Sequence, residues 1–308
     1  MARQAICIGE TVLDIIFKDD QPMRANPGGS TFNSSVSLGR AGINVSMVGE
    51  TGADHTGEIV RKFLEDNGVD PSFMRVRTDM DTKVAMAFLD ENNDASYTFL
   101  GKVHEGQEDF VHPRINADDV VLFGSFFALD PVNRPHIRKF LSDARNAGAI
   151  VYYDVNFRPS HAKELDVLVP SILENISGAD IVRCSTDDLQ TAFGTRNAEK
   201  VYGEIIAGRC RNFILTDGGG DIRLLSGDLR LTFPVEKVKT VSTIGAGDSF
   251  NAGIAYGLIS GGLDRGAVLS GLDAGKWKYL IDTAQSFSRD CCQSADNYIS
   301  KAFGGTLR

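Results

Sequence analysis

In the stretch TVSTIGAGDSFNAGI, residues 240–254, a carboxylate (Asp248) follows three residues with almost no side chain, Gly245, Ala246 and Gly247. Glycine costs backbone entropy and offers nothing to pack, so the run implies that something comes close to the main chain. A helix starting near Gly247 leaves its first amides unpaired, with the positive end of its dipole behind them. Such a place holds anions, phosphate above all. Phe250, Ile254 and Leu258 recur at four-residue spacing and give that helix a face to bury. Asp248 then has two readings. It could cap its own helix, or it could take the proton from a hydroxyl attacking a bound phosphoryl group. A capping acid needs no glycines in front of it; an acid beside a phosphate does.

A second glycine segment, NPGGSTFNSSVSLGRAG, begins with a Pro27-Gly28-Gly29 turn and runs into a helical stretch rich in Ser and Gly. Small residues there admit a ligand or another backbone, and Asn33 falls in the first turn, facing the glycine pair. A tightly packed helix would give the same pattern. Other chemistries lack their residues. Gly275-Lys276 is followed by Trp277 and has no upstream glycine, so there is no P-loop. Gly245-x-Gly247 approximates a dinucleotide fingerprint, but Phe250 occupies the third glycine position. The protein-kinase signatures and the G-x-S-x-G elbow are missing. The five histidines lack ligand spacing and read as surface or loop residues. The five cysteines show no C-x-x-C pair, which argues against a zinc site or a disulfide framework.

The elements that must hold these turns can be read from periodicity. Short β-rich runs (QAICIGE, NVSMVGE, VVLFGSFF, AIVYYDV, DIVRCS, NFILTDG) alternate with amphipathic stretches. Ile59, Val60, Phe63 and Leu64 mark one stretch, and Ile137, Phe140, Leu141 and Ala144 another. This alternation predicts an α/β protein with a mostly parallel central sheet and helices on both faces. From Gly247 onward the pattern is mostly helical. Two segments break the rhythm. Residues 11–19 follow the first strand where a crossover helix is expected, and residues 83–100 read as two strands around Asn92-Asn93-Asp94. Val84, Met86 and Phe88 alternate, as do Tyr97 and Phe99, so one face of the hairpin is expected to be apolar. The segments read as a small β-sheet inserted at about 11–28 and 78–112 of a single domain, 1–308. It is either an edge extension of the main sheet or a lid over a site.

Composition sets outer bounds. With 308 residues, 42% hydrophobic and 24% charged, the chain has the balance of a globular protein. A net charge of −9 disfavours nucleic acid and anionic membrane as partners. No apolar run reaches bilayer length, and MARQAICIGE lacks the apolar core of a signal peptide, so a cytoplasmic enzyme is expected.

Together the two glycine segments resemble the signatures of the ribokinase/fructokinase family of ATP-dependent sugar kinases. GAGDSFNAG is similar to the C-terminal signature, and PGGSTFNSSVSLGRAG with VGETGADHTGE to the N-terminal one. YYDVNFRPS resembles the Asp-x-Asn-x-Arg segment of the fructokinase and keto-sugar-acid kinase branch, and LTDGGGD the Thr-x-Gly-x-x-Gly turn near nucleotide phosphates. The resemblance covers essentially the whole chain and implies a ribokinase-like three-layer fold. It implies that Asp248 is the base and that Gly245, Ala246 and Gly247 supply amides to the transferring phosphoryl group. Asp14, Gly28, Gly29 and Asn33 are implied to bind sugar hydroxyls, with Arg158 near substrate or phosphates. Ser185, Thr216, Gly218 and Asn251 are implied to lie near ATP. Magnesium is implied as well, and so is a homodimer formed through the lid. Two departures stand out. Ser242 replaces the first Asp of the usual Asp-Thr-x-Gly-Ala-Gly-Asp, which weakens the expected monovalent-cation site. Ser185-Thr-Asp-Asp188 replaces the usual Asn-x-x-Glu, leaving Asp188 to organise the metal, through water.

The resulting expectation is a kinase that moves the γ-phosphoryl group of ATP to a primary hydroxyl of a free sugar. DVNFR and GGSTFN put fructose first. Ribokinase and 2-keto-3-deoxygluconate kinase are the alternatives within enzymes. Outside them stands a weakly catalytic sugar- or nucleotide-binding regulatory protein.

Overall fold

The computed structural model describes residues 2–89, 91, 95–102 and 110–308. Its main sheet is built around β1 (Ala5–Ile8), which pairs in parallel with β4 (Val45–Gly52) on one side and β9 (Val120–Gly124) on the other. Beyond β9 come β10 (Ile150–Asp154), β11 (Ile181–Ser185) and β12 (Asn212–Thr216), all parallel. The antiparallel β13 (Ile222–Ser226) and β14 (Leu229–Phe233) finish that edge. The short β5 (Val69–Asp70) and β6 (Met74–Arg77) add to β4 at the other.

Side chains of the central strands divide by period two. Ala5, Cys7, Val120, Leu122, Ile150 and Tyr152 enter one core, while Ile6, Ile8, Val121, Phe123, Val151 and Tyr153 enter the opposite one. The first core is covered by α1 (Ser30–Arg40), α2 (His55–Glu65), α7 (Ala246–Ser260), α8 (Arg265–Ser270) and α9 (Ala274–Cys292). The second is covered by α3 (Arg134–Ala147), α4 (Leu165–Gly178), α5 (Thr186–Phe193) and α6 (Ala198–Val201). The α10 helix (Lys301–Thr306) ends the chain. The result is the expected three-layer α/β fold. Four-residue spacing in α3 buries Ile137, Phe140, Leu141 and Ala144, as the sequence predicts. In α2 Val60 and Leu64 are buried, but Ile59 is exposed. Strand order reverses on either side of β1, which opens a crevice beyond the carboxyl ends of the strands.

A second sheet carries β3 (Gln21–Gly28), β2 (Val12–Lys18), β7 (Val84–Leu89) and β8 (Ala95–Leu100) in that spatial order. It coincides with the segments that broke the helical rhythm; the expected turn at Asn92-Asn93-Asp94 lies outside the described residues. The single apolar hairpin face is not what forms. Register pairs Met86 with Thr98 and Ala85 with Phe99, so Phe99 stands on the face opposite to Met86 and Phe88. That face also carries Asp14, which pairs with Ala85 and with Asn26. The other face gathers Ile15, Phe17, Met86 and Phe88, with Phe17 stacked on Phe88 at 4.9 Å. Pairing register, rather than the composition of each strand, sets the two strands one residue out of phase.

Candidate active site

The residues singled out from sequence collect at the carboxyl ends of β1, β10, β11 and β12. Gly245 is the N-cap of α7 and has φ +78°, a region that L side chains rarely adopt; a Cβ there would overlap the carbonyl oxygen of Asn297. A Cβ at Gly247 would sit 3.1 and 3.2 Å from the two terminal nitrogens of Arg183. So part of the bareness of this loop has an internal cause: two other segments of the chain press against it.

No side chain caps α7, and Asp248 does not turn back on its own helix. Its carboxylate is gripped by α1 instead. Ser30 Oγ donates to Oδ1 at 2.8 Å and Asn33 Nδ2 donates to Oδ2 at 2.8 Å, while Ser34 Oγ donates to the Asp248 carbonyl at 2.9 Å. Ser30 and Asn33 are i, i+3 on one helix and therefore share a face. Burial pushes Asp248 up to about 6, against the pull of the Asn33 and Ser30 hydrogen bonds. The group is thus a carboxylate at neutral pH that still accepts a proton readily. The capping reading fails, and the base reading keeps its geometry.

Asp14 reaches the same place from β2. A Cβ at Gly28 would overlap its Oδ2, and a Cβ at Gly29, where φ is +125°, would overlap the Glu10 carbonyl. Burial, then Glu10 and Asp248, raise Asp14 to about 6 as well. Around this turn Asn33 Oδ1 and Asn26 Nδ2 are buried and have no hydrogen-bond partner. Buried polar atoms left without partners are costly and point to a polar ligand or water.

Beneath the loop lies a cluster that sequence reasoning missed. Arg183 Nη1 donates to both oxygens of Asp154 at 3.0 and 3.2 Å, and Nη2 donates to Thr216 Oγ1 at 2.6 Å. Asn251 Nδ2 donates to Asp154 Oδ2 at 2.7 Å, and Asn251 Oδ1 accepts from the Tyr152 hydroxyl at 2.9 Å. Burial works against the Arg183 charge, but Asp154 outweighs it and keeps the guanidinium protonated. Asn251, expected near the nucleotide, is buried and has its amide bonded at both ends within the chain. One signal could have found this cluster: an arginine inside the apolar run DIVRCS must be paired if the run is a buried strand.

The remaining candidates sit at the rim. Arg158 is exposed, yet its charge reaches Asp248 and lowers its proton affinity. In the same DVNFR segment Asn156 holds φ +36°, and Ser125 at the end of β9 holds φ +55°, two left-handed residues at neighbouring strand ends. Ser185 caps α5: its Oγ accepts from the Asp188 amide at 3.1 Å, while Asp188 Oδ2 accepts from the Ser185 amide at 3.0 Å. Asp188 Oδ1 takes no part in that box. Burial and then Asp154 raise the Asp188 proton affinity. Among the described residues no group of three His, Cys, Asp or Glu side chains could hold a metal ion. The oxygen donors present fit a magnesium ion held through its waters, not a cage made by the protein alone. Gly218, with φ +52°, has open space where a Cβ would stand. Ser242 Oγ accepts from the Ile244 amide at 3.2 Å, and the Val241 amide donates to the Cys292 carbonyl at 2.8 Å. The loop is therefore held by one local hydrogen bond and tied to the end of α9 by another. His136 departs from the expectation of surface histidines, since it is buried in α3, and His104 lies outside the described residues.

A half-buried carboxylate at the start of one helix, a helix start without a side-chain cap and unpartnered polar atoms beside it are the parts that phosphoryl transfer to a hydroxyl needs. Comparison with known proteins agrees. The profile of the pfkB family carbohydrate kinases matches residues 2–286, and the chain belongs to this family of phosphotransferases with an alcohol acceptor. It is 28% identical over 259 residues to aminoimidazole riboside kinase of Salmonella typhimurium, covering 82% of this chain and 79% of that one. It is 27% identical over 260 residues to a fructokinase of Rhizobium leguminosarum bv. trifolii, covering 82% and 79%. Among solved structures, aminoimidazole riboside kinase from Salmonella enterica with aminoimidazole riboside and an ATP analogue superposes with TM-score 0.83 at 24% identity, covering 99% and 98%. Fructokinase from Vibrio cholerae with fructose, ADP and calcium gives 0.81 at 21% identity, covering 99% and 98%. Among the described residues, no helix is long and apolar enough to cross a membrane.

Proposed function

We propose that this carbohydrate kinase transfers the γ-phosphoryl group of ATP to a primary hydroxyl of a neutral free sugar, with fructose as the first choice. The observation that carries this is the Asp248 carboxylate, held by Ser30 and Asn33 at the uncapped start of α7 and raised to about 6. Asp14, Asn33 and the Gly28–Gly29 turn bind and orient the sugar so that its hydroxyl faces Asp248. Asp248 takes the proton as the hydroxyl attacks, and the amides of Gly245, Ala246 and Gly247 stabilise the charge on the transferring group. Arg183, ion-paired with Asp154, lies with its guanidinium against Gly247. The ATP phosphates run toward Thr216, Gly218 and Ser185, with Arg158 at the rim. Magnesium supplies charge neutralisation on those phosphates when bound, and Asp188 is the residue to hold its waters.

The second sheet acts as a lid, with its Asp14 and Asn26 face over the sugar. Its Phe17, Met86 and Phe88 face pairs with a second copy in a homodimer. Free cysteines throughout the chain suit the cytoplasm. Asp14, Asp248 and Glu10 crowd negative charge around the acceptor, which disfavours a sugar acid. A second reading, a riboside with a heteroaromatic group, is favoured by Phe99, which is 67% exposed and shares a face with Asp14.

ATP consumption with fructose, ribose, aminoimidazole riboside and 2-keto-3-deoxygluconate tests this. Fructose should give the highest kcat/KM. Preference for the riboside moves the conclusion to the second reading, and preference for the sugar acid overturns the neutral-acceptor argument. No turnover with any of them returns the chain to a binding role.

A further inference from the structure

Asn297 lies in the segment between α9 and α10, far in sequence from both glycine turns, and no motif points to it. It is only 4% exposed, and its Oδ1 is buried with no hydrogen-bond partner. Its main-chain carbonyl presses against Gly245 at the start of the anion loop. Its Nδ2 lies 3.7 Å from the point where a Gly28 Cβ would stand, and Asp14 Oδ2 borders that same point. The neighbouring Tyr298 hydroxyl donates to the Pro27 carbonyl at 3.3 Å and pins the segment there. One carboxamide therefore stands between the loop that would hold the phosphoryl group and the turn that would hold the acceptor.

We infer that Asn297 is an acceptor-binding residue, which with Asp14 reads one hydroxyl of the substrate. Every sugar hydroxyl donates one hydrogen bond and accepts others. A carboxylate only accepts, and an amide nitrogen only donates. Asp14 and Asn297, which meet beside Gly28, thus offer the two halves that one hydroxyl needs. Asn297 Oδ1 adds an acceptor for a second hydroxyl, and Asn26 Nδ2, buried and unpartnered on the face of Asp14, adds a donor. Four polar groups, two of them buried and unpartnered, with no basic side chain among them suit a neutral polyol. An analogue that lacks the hydroxyl being read would leave them unpaired, which is how a polar site discriminates. This inference rests on the kinase reading above and assigns its acceptor contact.

The experiment uses whichever acceptor the wild-type enzyme turns over. Asn297→Ala keeps the main-chain carbonyl against Gly245. It should raise acceptor KM ~10- to 100-fold and leave KM for ATP within about twofold. Without sugar its Tm should equal or exceed that of wild type, because a buried unpaired atom has been removed, and the rise in Tm on adding sugar should be lost. Asn297→Asp keeps the shape but exchanges the donor for an acceptor, and should also raise acceptor KM. Among deoxy analogues, one should bind the wild type weakly and lose nothing further in Asn297→Ala, which identifies the hydroxyl. An acceptor KM within twofold in both variants overturns the inference. So does a lowered Tm with both KM values raised together, which would make Asn297 a structural residue. If the wild type phosphorylates no sugar, the kinase reading itself fails, and this inference with it.

Discussion

The main sheet and the second sheet are both β-structure, but they are built to different standards. Strands β1, β9 and β10 are buried on both faces, and Ile6, Val121 and Tyr153 are fully enclosed. Close packing holds their carboxyl ends, and hence Asp154, Arg183 and the floor of the α7 loop, in one arrangement. The second sheet is half-covered: Ile15, Phe17 and Met86 are only partly buried, and Met23 and Phe99 are exposed. The proposed catalytic geometry thus sits where the structure is over-determined. The proposed acceptor contacts and the proposed dimer face sit where one face is still open. That division follows from stability, since elements with little buried apolar area open most easily.

The largest effect should come from the over-determined side. Asp248→Asn should lower turnover by roughly 10²–10⁴ and leave the affinities for ATP and sugar within a few-fold. Near-normal turnover in a folded variant would remove Asp248 from the chemistry. In the wild type, turnover should rise with pH through about 6 and level off above it, because only the ionised carboxylate accepts a proton. Stability has the opposite sign. The folded state binds this proton more tightly than the unfolded state, so Asp248 opposes folding above about 6, and the penalty fades as pH falls through that value. The Asn variant should therefore gain more Tm at pH 8 than at pH 5. An equal gain at both would mean that the carboxylate is not perturbed.

On the half-covered side the expected effects are smaller. Phe88→Asp places a charge beside Phe17 on the apolar face. It should shift a homodimer toward monomer in sedimentation, with kcat changed less than about tenfold. An unchanged assembly, or a wild type that is already monomeric, would separate that face from dimerisation.

The smallest effect concerns the anion loop itself. Ser242 offers a hydroxyl already engaged by the Ile244 amide, where a carboxylate would attract a cation. Exchanging potassium for a bulky organic cation at fixed ionic strength should leave turnover flat, and Ser242→Asp should gain activation. Several-fold activation of the wild type at millimolar potassium would show that main-chain carbonyls suffice.

Much of the main body was legible in the sequence. The runs from QAICIGE to NFILTDG became β1, β4 and β9 to β12, because a strand buried on both faces needs a continuous apolar run whatever surrounds it. The bare helix start at Gly245–Gly247 was legible for a similar local reason, though Asn297 and Arg183, which press against it, were not. Less could be read where partners are remote. Asn33 was a candidate, but its bond to Asp248 spans 215 residues, and Ser30, which bonds the other oxygen, carried no signal of its own. Arg183 carried no reading of its own, and only the fold closed Asp154 and Thr216 around it. In the second sheet the alternation of Met86 and Phe88 was correct, yet the face carrying Phe99 was not, since register belongs to the pair of strands and to neither alone. Local pattern determined which elements exist and which helix start is left bare, because propensity, periodicity and backbone freedom act within a few residues. Tertiary structure alone decided which side chains meet. It alone placed Asn297 between Gly28 and Gly245 and left the buried Asn297 oxygen without a partner, because desolvation and hydrogen bonding depend on groups that only the folded chain brings together.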